Sequence, residues 1–157
     1  MRHYEELALK FMSLLALTFG MYVVFKPIES LLILPIARIS TMALQLIGYS
    51  VYSSKSVIIV EGIAKIEIIG ACTPVLPFLL LVSYVAIFGK KSKYNAIFLL
   101  FGFIFLFIVD VARIMLMVVL TFYGFELEKS HQLSSYLLIP ASYLFILWIY
   151  NKFFVSK

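Results

Sequence analysis

One cysteine, Cys72, stands directly before Thr73-Pro74 at the start of an apolar segment. Thr at a helix N-cap with Pro at the first helical position is a common helix start. The thiol would then lie at a helix N-terminus, where unpaired N–H groups and the helix dipole favour the nucleophilic thiolate. The competing reading is an inert packed residue, because free cysteine behaves as a small hydrophobe. Asp110 and Arg113 are the second signal, three residues apart inside a long apolar stretch. An ionisable group there costs about 2.5–3.5 kcal/mol on insertion scales. At that spacing the two pair on one helix face, so a structural ion pair is the alternative. His131 is the third signal, in the polar segment that begins at Glu126 before the last apolar stretch. An imidazole with an unperturbed pKa of about 6.5 suits proton transfer; a solvated loop histidine is the alternative. A nucleophile needs a base within reach and a cation or donors for a developing oxyanion. Cys72, His131 and Arg113 supply these parts from three separate segments. His3 falls on the opposite side in the topology below and is set aside. One cysteine and one usable histidine are too few for zinc. With no phosphate-binding glycine loop or dinucleotide motif either, no cofactor is expected.

Such side chains need elements to carry them. The 157 residues are 64% hydrophobic and 13% charged, with a mean hydropathy of +1.08. Soluble domains run at ~45–50% apolar and ~25% charged. A soluble globular protein, a disordered tail and a secreted disulfide scaffold are therefore excluded. The net charge of +5 comes without a basic patch interleaved with aromatics, so no nucleic-acid partner is expected. Four segments suit spanning helices of ~20 residues: 7–25, 73–88, 95–123 and 133–150. Segment 28–48 holds Pro35, Arg38 and Gln45, with Ser40 and Thr41 between, and reads as an amphipathic helix in the interface. A straight helix over 95–123 would measure about 43 Å against a ~30 Å hydrocarbon core. It must tilt, project outward or break, and Asp110 and Arg113 mark the expected break. Residues 57–60 and 63–69 are rich in β-branched side chains around a Glu61-Gly62 turn. They predict a small external β-hairpin running into Cys72. The fold expected is an all-α integral membrane protein of about four transmembrane helices, with one interfacial helix and one hairpin. It forms a single domain over 1–157, with no cleavable signal peptide.

Charge orients these segments. With the N-terminus inside, Arg2, Lys10, Lys90, Lys91, Lys93, Lys152 and Lys157 fall on the inner side, against only Glu5 and Glu6. Outside, Lys26, Arg38, Lys55, Lys65 and Lys129 are balanced by Glu29, Glu61, Glu67, Glu126 and Glu128. That distribution follows the positive-inside rule. It places Cys72, Arg113 and His131 together near the extracytoplasmic face of a multi-pass cell-membrane protein.

In order and placement these residues resemble the exosortase/archaeosortase family of membrane cysteine transpeptidases. The resemblance runs from about Leu44 to Pro140. It takes in Gln45-Leu46-Ile47-Gly48, the β-rich stretch leading to Ala71-Cys72-Thr73, and His131 before the last span. Asp110-Val111-Ala112-Arg113-Ile114 resembles the family's Asn-x-x-Arg-Ile pattern. Pro74 stands where the family usually has glycine, and Asp110 where it has asparagine. The short chain and the Cys-Thr pair are similar to the archaeal branch. The resemblance implies a substrate, an exported protein whose C-terminal sorting signal comprises a short motif, a span and a basic tail. It also implies transfer of the cleaved chain to a membrane lipid or lipid-linked acceptor. Cys72 would form a thioester, His131 would serve as base and then acid, and Arg113 would stabilise the oxyanion or orient the substrate. Asp110 would most simply fix Arg113, with orientation of His131 as the alternative. Two other readings compete. One is a non-catalytic membrane assembly protein with Asp110 and Arg113 as a packing pair. The other is a small transporter, which a single charged pair near one face suits poorly.

Overall fold

The computed structural model describes residues 2–61, 64–89 and 93–155. The elements in order are α1 (Arg2–Phe25), α2 (Ile28–Leu46), β1 (Val51–Ser54), β2 (Val57–Val60), β3 (Ala64–Glu67), α3 (Val75–Phe88), α4 (Tyr94–Phe122) and α5 (Leu127–Tyr150). A 3-10 turn, Gly70–Cys72, joins the sheet to α3, and a π-helical turn, Asn151–Val155, follows α5. The protein is an all-α membrane protein carrying one small antiparallel sheet. Among the described residues four helices are long and apolar enough to cross a membrane: Tyr4–Phe25, Ile28–Leu46, Tyr94–Phe122 and Leu127–Phe154. Val75–Phe88 is a shorter apolar helix.

Packing tells how these helices run. Met21 and Phe25 at the end of α1 face Val75, Phe78, Leu79 and Val82 of α3, with Phe103 of α4 beside them. The end of α1 thus meets the start of α3, and the two run antiparallel. Helices α4 and α5 return past each other in the same way. Phe98 near the start of α4 stacks on Tyr150 at the end of α5, with ring centroids 4.7 Å apart. Around that contact Leu81, Val85, Leu106 and Ile146 form one buried core. Gly102 lets the helices close there. A side chain at this position would run into Leu81 of α3 and Ile146 of α5.

Helix α2 answers the question raised by the length of α4. Ile28 and Leu32 pack near Phe103, whereas Tyr49, just beyond the other end of α2, meets Phe122 edge-on at 5.2 Å. Phe103 and Phe122 lie on one continuous helix, about 28 Å apart at 1.5 Å per residue. Helix α2 therefore climbs beside the second half of α4 and does not return between α1 and α3. The expected break at Asp110 and Arg113 is absent: α4 is unbroken over 29 residues. Its surplus length is covered by α2 and the sheet. The reading of 28–48 as an amphipathic helix changes in detail. Ser40 and Thr41 belong to the buried face, and Leu31, Leu34, Ile39, Met42 and Leu46 are exposed. The exposed residues are thus mainly apolar, with Arg38 and Gln45 among them.

The sheet is larger than the expected hairpin. The order is β1-β2-β3, so a third strand, β1, precedes the two expected ones. Val57–Val60 forms β2 as expected; Gly62 and Ile63 of the expected turn and strand lie outside the described residues. Ile58, Val60, Ile66 and Ile68 bury one face of the sheet against Ile36, Leu44, Ile114 and Val118.

Gly102→Val should lower the thermal unfolding temperature in detergent, by the about 1–3 kcal/mol typical of overpacking. Gly20→Val, where a new side chain meets open space, should leave it unchanged.

Candidate active site

Cys72 ends the 3-10 turn that follows β3. Its N–H donates to the Ile69 carbonyl at 2.8 Å, and the Thr73 N–H to the Gly70 carbonyl at 3.0 Å. The Thr73 hydroxyl donates to the same Gly70 carbonyl at 2.7 Å. Thr73 therefore closes the turn and does not cap the helix. This corrects the expected start of α3: Pro74 is the cap and Val75 the first helical residue. Cys72 itself is buried, 3% exposed, within the core formed by the sheet, α2 and α4.

Two charged side chains grip this turn from behind. Arg113 Nη2 donates to the Ala71 carbonyl, the residue before the cysteine, at 3.2 Å. Arg113 Nη1 lies 3.5 Å from Asp110 Oδ1, and both side chains are buried. The pair predicted from their spacing is thus formed, and it ties α4 to the cysteine turn. On the other side the carboxylate of Glu29, from the first turn of α2, is pressed against Gly70. A Cβ at Gly70 would fall on that carboxylate, which would have to swing aside to admit it. Glu29 is 8% exposed and lies near the Tyr22 hydroxyl of α1.

His131 occupies the second turn of α5, not a loop. The Glu126 carbonyl takes both the N–H of Ser130, at 2.9 Å, and its hydroxyl, at 3.0 Å. These bonds start the helix six residues earlier than expected. The helix carries Leu127, Glu128 and His131 on one face toward β3. A cavity of about 270 Å³ opens there, lined by Ile66, Glu67, Ile69, Cys72, Met117, Leu127, Glu128 and His131. Cys72 and His131 therefore share one cavity. Arg113 does not line it; the guanidinium stands behind the turn, near enough for its charge to act on His131. Asp110 pairs with Arg113. Among the described residues no group of three or more His, Cys, Asp or Glu side chains is placed to hold a metal.

Glu29, Glu67 and Glu128 were not among the residues singled out from sequence. Glu128 lies three residues before His131, so the helical face was readable once the helix was extended. Glu29 left no such mark, because its partner Gly70 is far along the chain.

Residues 6–149 match the sequence model of the transmembrane exosortases (Exosortase_EpsH). The chain belongs to the transmembrane exosortase family. No curated protein and no solved structure matches it. In this exosortase the matched span encloses Cys72, Asp110, Arg113 and His131, together with Glu29 and Gly70.

Gly70→Ala should destabilise the protein, and Glu29→Ala should relieve that loss when combined with it. A double-mutant cycle of thermal stability checks this; contacting residues typically couple by about 0.5–3 kcal/mol. Additive effects would mean that the two do not oppose each other.

Proposed function

We propose that this exosortase is a membrane cysteine transpeptidase that cleaves the C-terminal sorting signals of exported proteins at the extracytoplasmic face. The observation that carries this reading is the shared cavity of Cys72 and His131, at the end of the bundle where the cysteine turn is held by Arg113. The positive-inside charge pattern supports an outward-facing site. The single domain expected over 1–157 is part of the same proposal.

The chemistry runs as acyl transfer. His131 takes the thiol proton, and Cys72 Sγ attacks the scissile carbonyl. The carbonyl oxygen becomes an oxyanion, and Arg113 acts through the turn it holds rather than by contact with that oxygen. The C–N bond then breaks, His131 returns its proton to the leaving amine, and the retained chain stays on sulfur as a thioester. A nucleophile of a lipid or lipid-linked acceptor attacks the thioester, loses its proton to His131 and releases Sγ. Water in its place would give hydrolysis. Asp110 neutralises Arg113 and fixes its orientation.

The second reading, a non-catalytic assembly protein, draws on the same Arg113. Its bonds to Asp110 and to the Ala71 carbonyl are those of a packing residue. Breaking one partner of a buried pair costs about 3–5 kcal/mol, so loss of function in Arg113→Ala does not separate the readings.

Substitution at the other two positions separates them. Processing of a co-expressed exported protein bearing a C-terminal sorting signal is followed by the size of its product. Cys72→Ala should abolish processing while the protein accumulates in the membrane at the wild-type level. His131→Ala should slow it by about 10²–10⁴-fold, the range for a lost general base. Undiminished processing by Cys72→Ala would leave the assembly reading standing.

A further inference from the structure

The two edges of the small sheet are unlike. In an antiparallel ladder, alternate residues turn both backbone groups toward the partner strand, and the residues between turn theirs outward. On β1 the Ser50 carbonyl accepts from Glu61, which makes Tyr52 and Ser54 the inward pairs and Val51 and Ser53 the outward ones. The outward Val51 carbonyl is taken by Gln45 Nε2 at 2.7 Å, and the Val51 N–H bonds to the Tyr49 carbonyl. At Val51 that edge is closed by the chain itself. On β3 the Ile68 N–H donates to the Ser56 carbonyl, so Ala64, Ile66 and Ile68 face β2, and Lys65 and Glu67 face outward. Among the described residues nothing bonds to the outward backbone groups of Lys65 and Glu67. An unpaired edge is a template for another strand.

This open edge leads to the cysteine. Ile66, Glu67 and Ile69 form one wall of the Cys72 cavity, and Leu127, Glu128 and His131 of α5 form the facing wall. A chain laid along β3 would pass between these walls and arrive at the thiol. We propose that the edge of β3 binds the substrate as a fourth strand, holding an extended peptide segment by main-chain hydrogen bonds to Lys65 and Glu67 and delivering the next peptide bond to Cys72. Strand addition of this kind draws affinity from the backbone and selectivity from alternate side chains. Here the inward-pointing side chains of the peptide would meet the apolar wall of Ile69, Met117 and Leu127. The inference rests on Cys72 being the nucleophile proposed above, and names what brings the substrate to it.

The test uses membranes containing the full-length protein and an acetylated oligoalanine ending in a vinyl sulfone. The thiolate adds to the terminal vinyl carbon, and the carbon next to sulfur takes the proton. Alkylation of Cys72 is timed by mass spectrometry and compared with the vinyl sulfone lacking the peptide, and with iodoacetamide. The peptide should speed alkylation about tenfold or more, the worth of one or two main-chain hydrogen bonds. N-methylation of successive residues should abolish the advantage at every second position. Lys65→Pro should abolish it as well, with iodoacetamide reacting as in wild type, whereas Ser53→Pro on the far edge, away from Cys72, should keep it. Loss of the peptide advantage in wild type, or uniform sensitivity to N-methylation, would overturn strand addition while leaving the nucleophile intact. Failure of iodoacetamide to reach Cys72 would overturn both. The N-methyl series needs no variant, so the test stands even where Lys65→Pro fails to fold.

Discussion

A guanidinium sealed inside an apolar protein has to be paired on every side that matters, and here its partners are Asp110 and the carbonyl of Ala71. The first partner lies on the same helix and merely neutralises the charge. The second lies on the residue before Cys72, so the requirement to satisfy Arg113 fixes where the cysteine turn can sit. Much of the surrounding architecture follows from that anchor. Helix α4 must continue past Arg113 without a break, its extra turns need cover, and α2 and the sheet provide it. The sheet in turn ends in the turn that Arg113 holds. Glu29 closes the arrangement from the opposite side, an acidic group against Gly70 where Arg113 is a basic one against Ala71.

The two ends of the bundle are built for different work. Away from the cysteine, Phe98, Tyr150, Tyr84 and Phe154 pack their rings against one another, and Gly102 lets three helices meet closely. Such aromatic packing gives a rigid base, with the Tyr84 and Tyr150 hydroxyls bonded to Asn151 and Asn95. At the cysteine end the core is mainly aliphatic, drawn from strands as well as helices, and it opens into a cavity with carboxylates and an imidazole on its walls. A reaction centre on rigid elements needs little reorganisation. The turn carrying Cys72 is short, doubly bonded within itself and clamped from behind, which gives a loop residue the fixity of a helical one.

How much of this was legible in the sequence depends on which interactions are local. Helices α1, α3 and the bulk of α4 and α5 announce themselves by apolar length, and the pairing of Asp110 with Arg113 follows from their spacing. The first turns of α5 were missed because Leu-Glu-Lys-Ser-His-Gln is polar and a membrane reading stops at its edge; only the Glu126–Ser130 hydrogen bonds carry the helix through it. Strand β1 was missed because Val-Tyr-Ser-Ser is too short and mixed to stand out, and exists by pairing with β2. The unbroken run of α4 through Asp110 and Arg113 was hidden for a related reason. The partner that makes it tolerable, α2, comes from a distant part of the chain. Of the candidate site, the cysteine, the arginine and the histidine were visible as chemical types. The clamp of Glu29 on Gly70 and the open edge of β3 were not, since both depend on tertiary contact.

The account turns on a reactive Cys72 that shares its cavity with His131 and opens to the outside of the cell. Treating intact cells with a membrane-impermeant thiol reagent tests this most directly, comparing wild type with His131→Ala at equal expression. The account predicts that Cys72 is labelled without permeabilisation, and more slowly once His131 is removed. Labelling that appears only after the membrane is opened would place the cavity on the cytoplasmic side and contradict it.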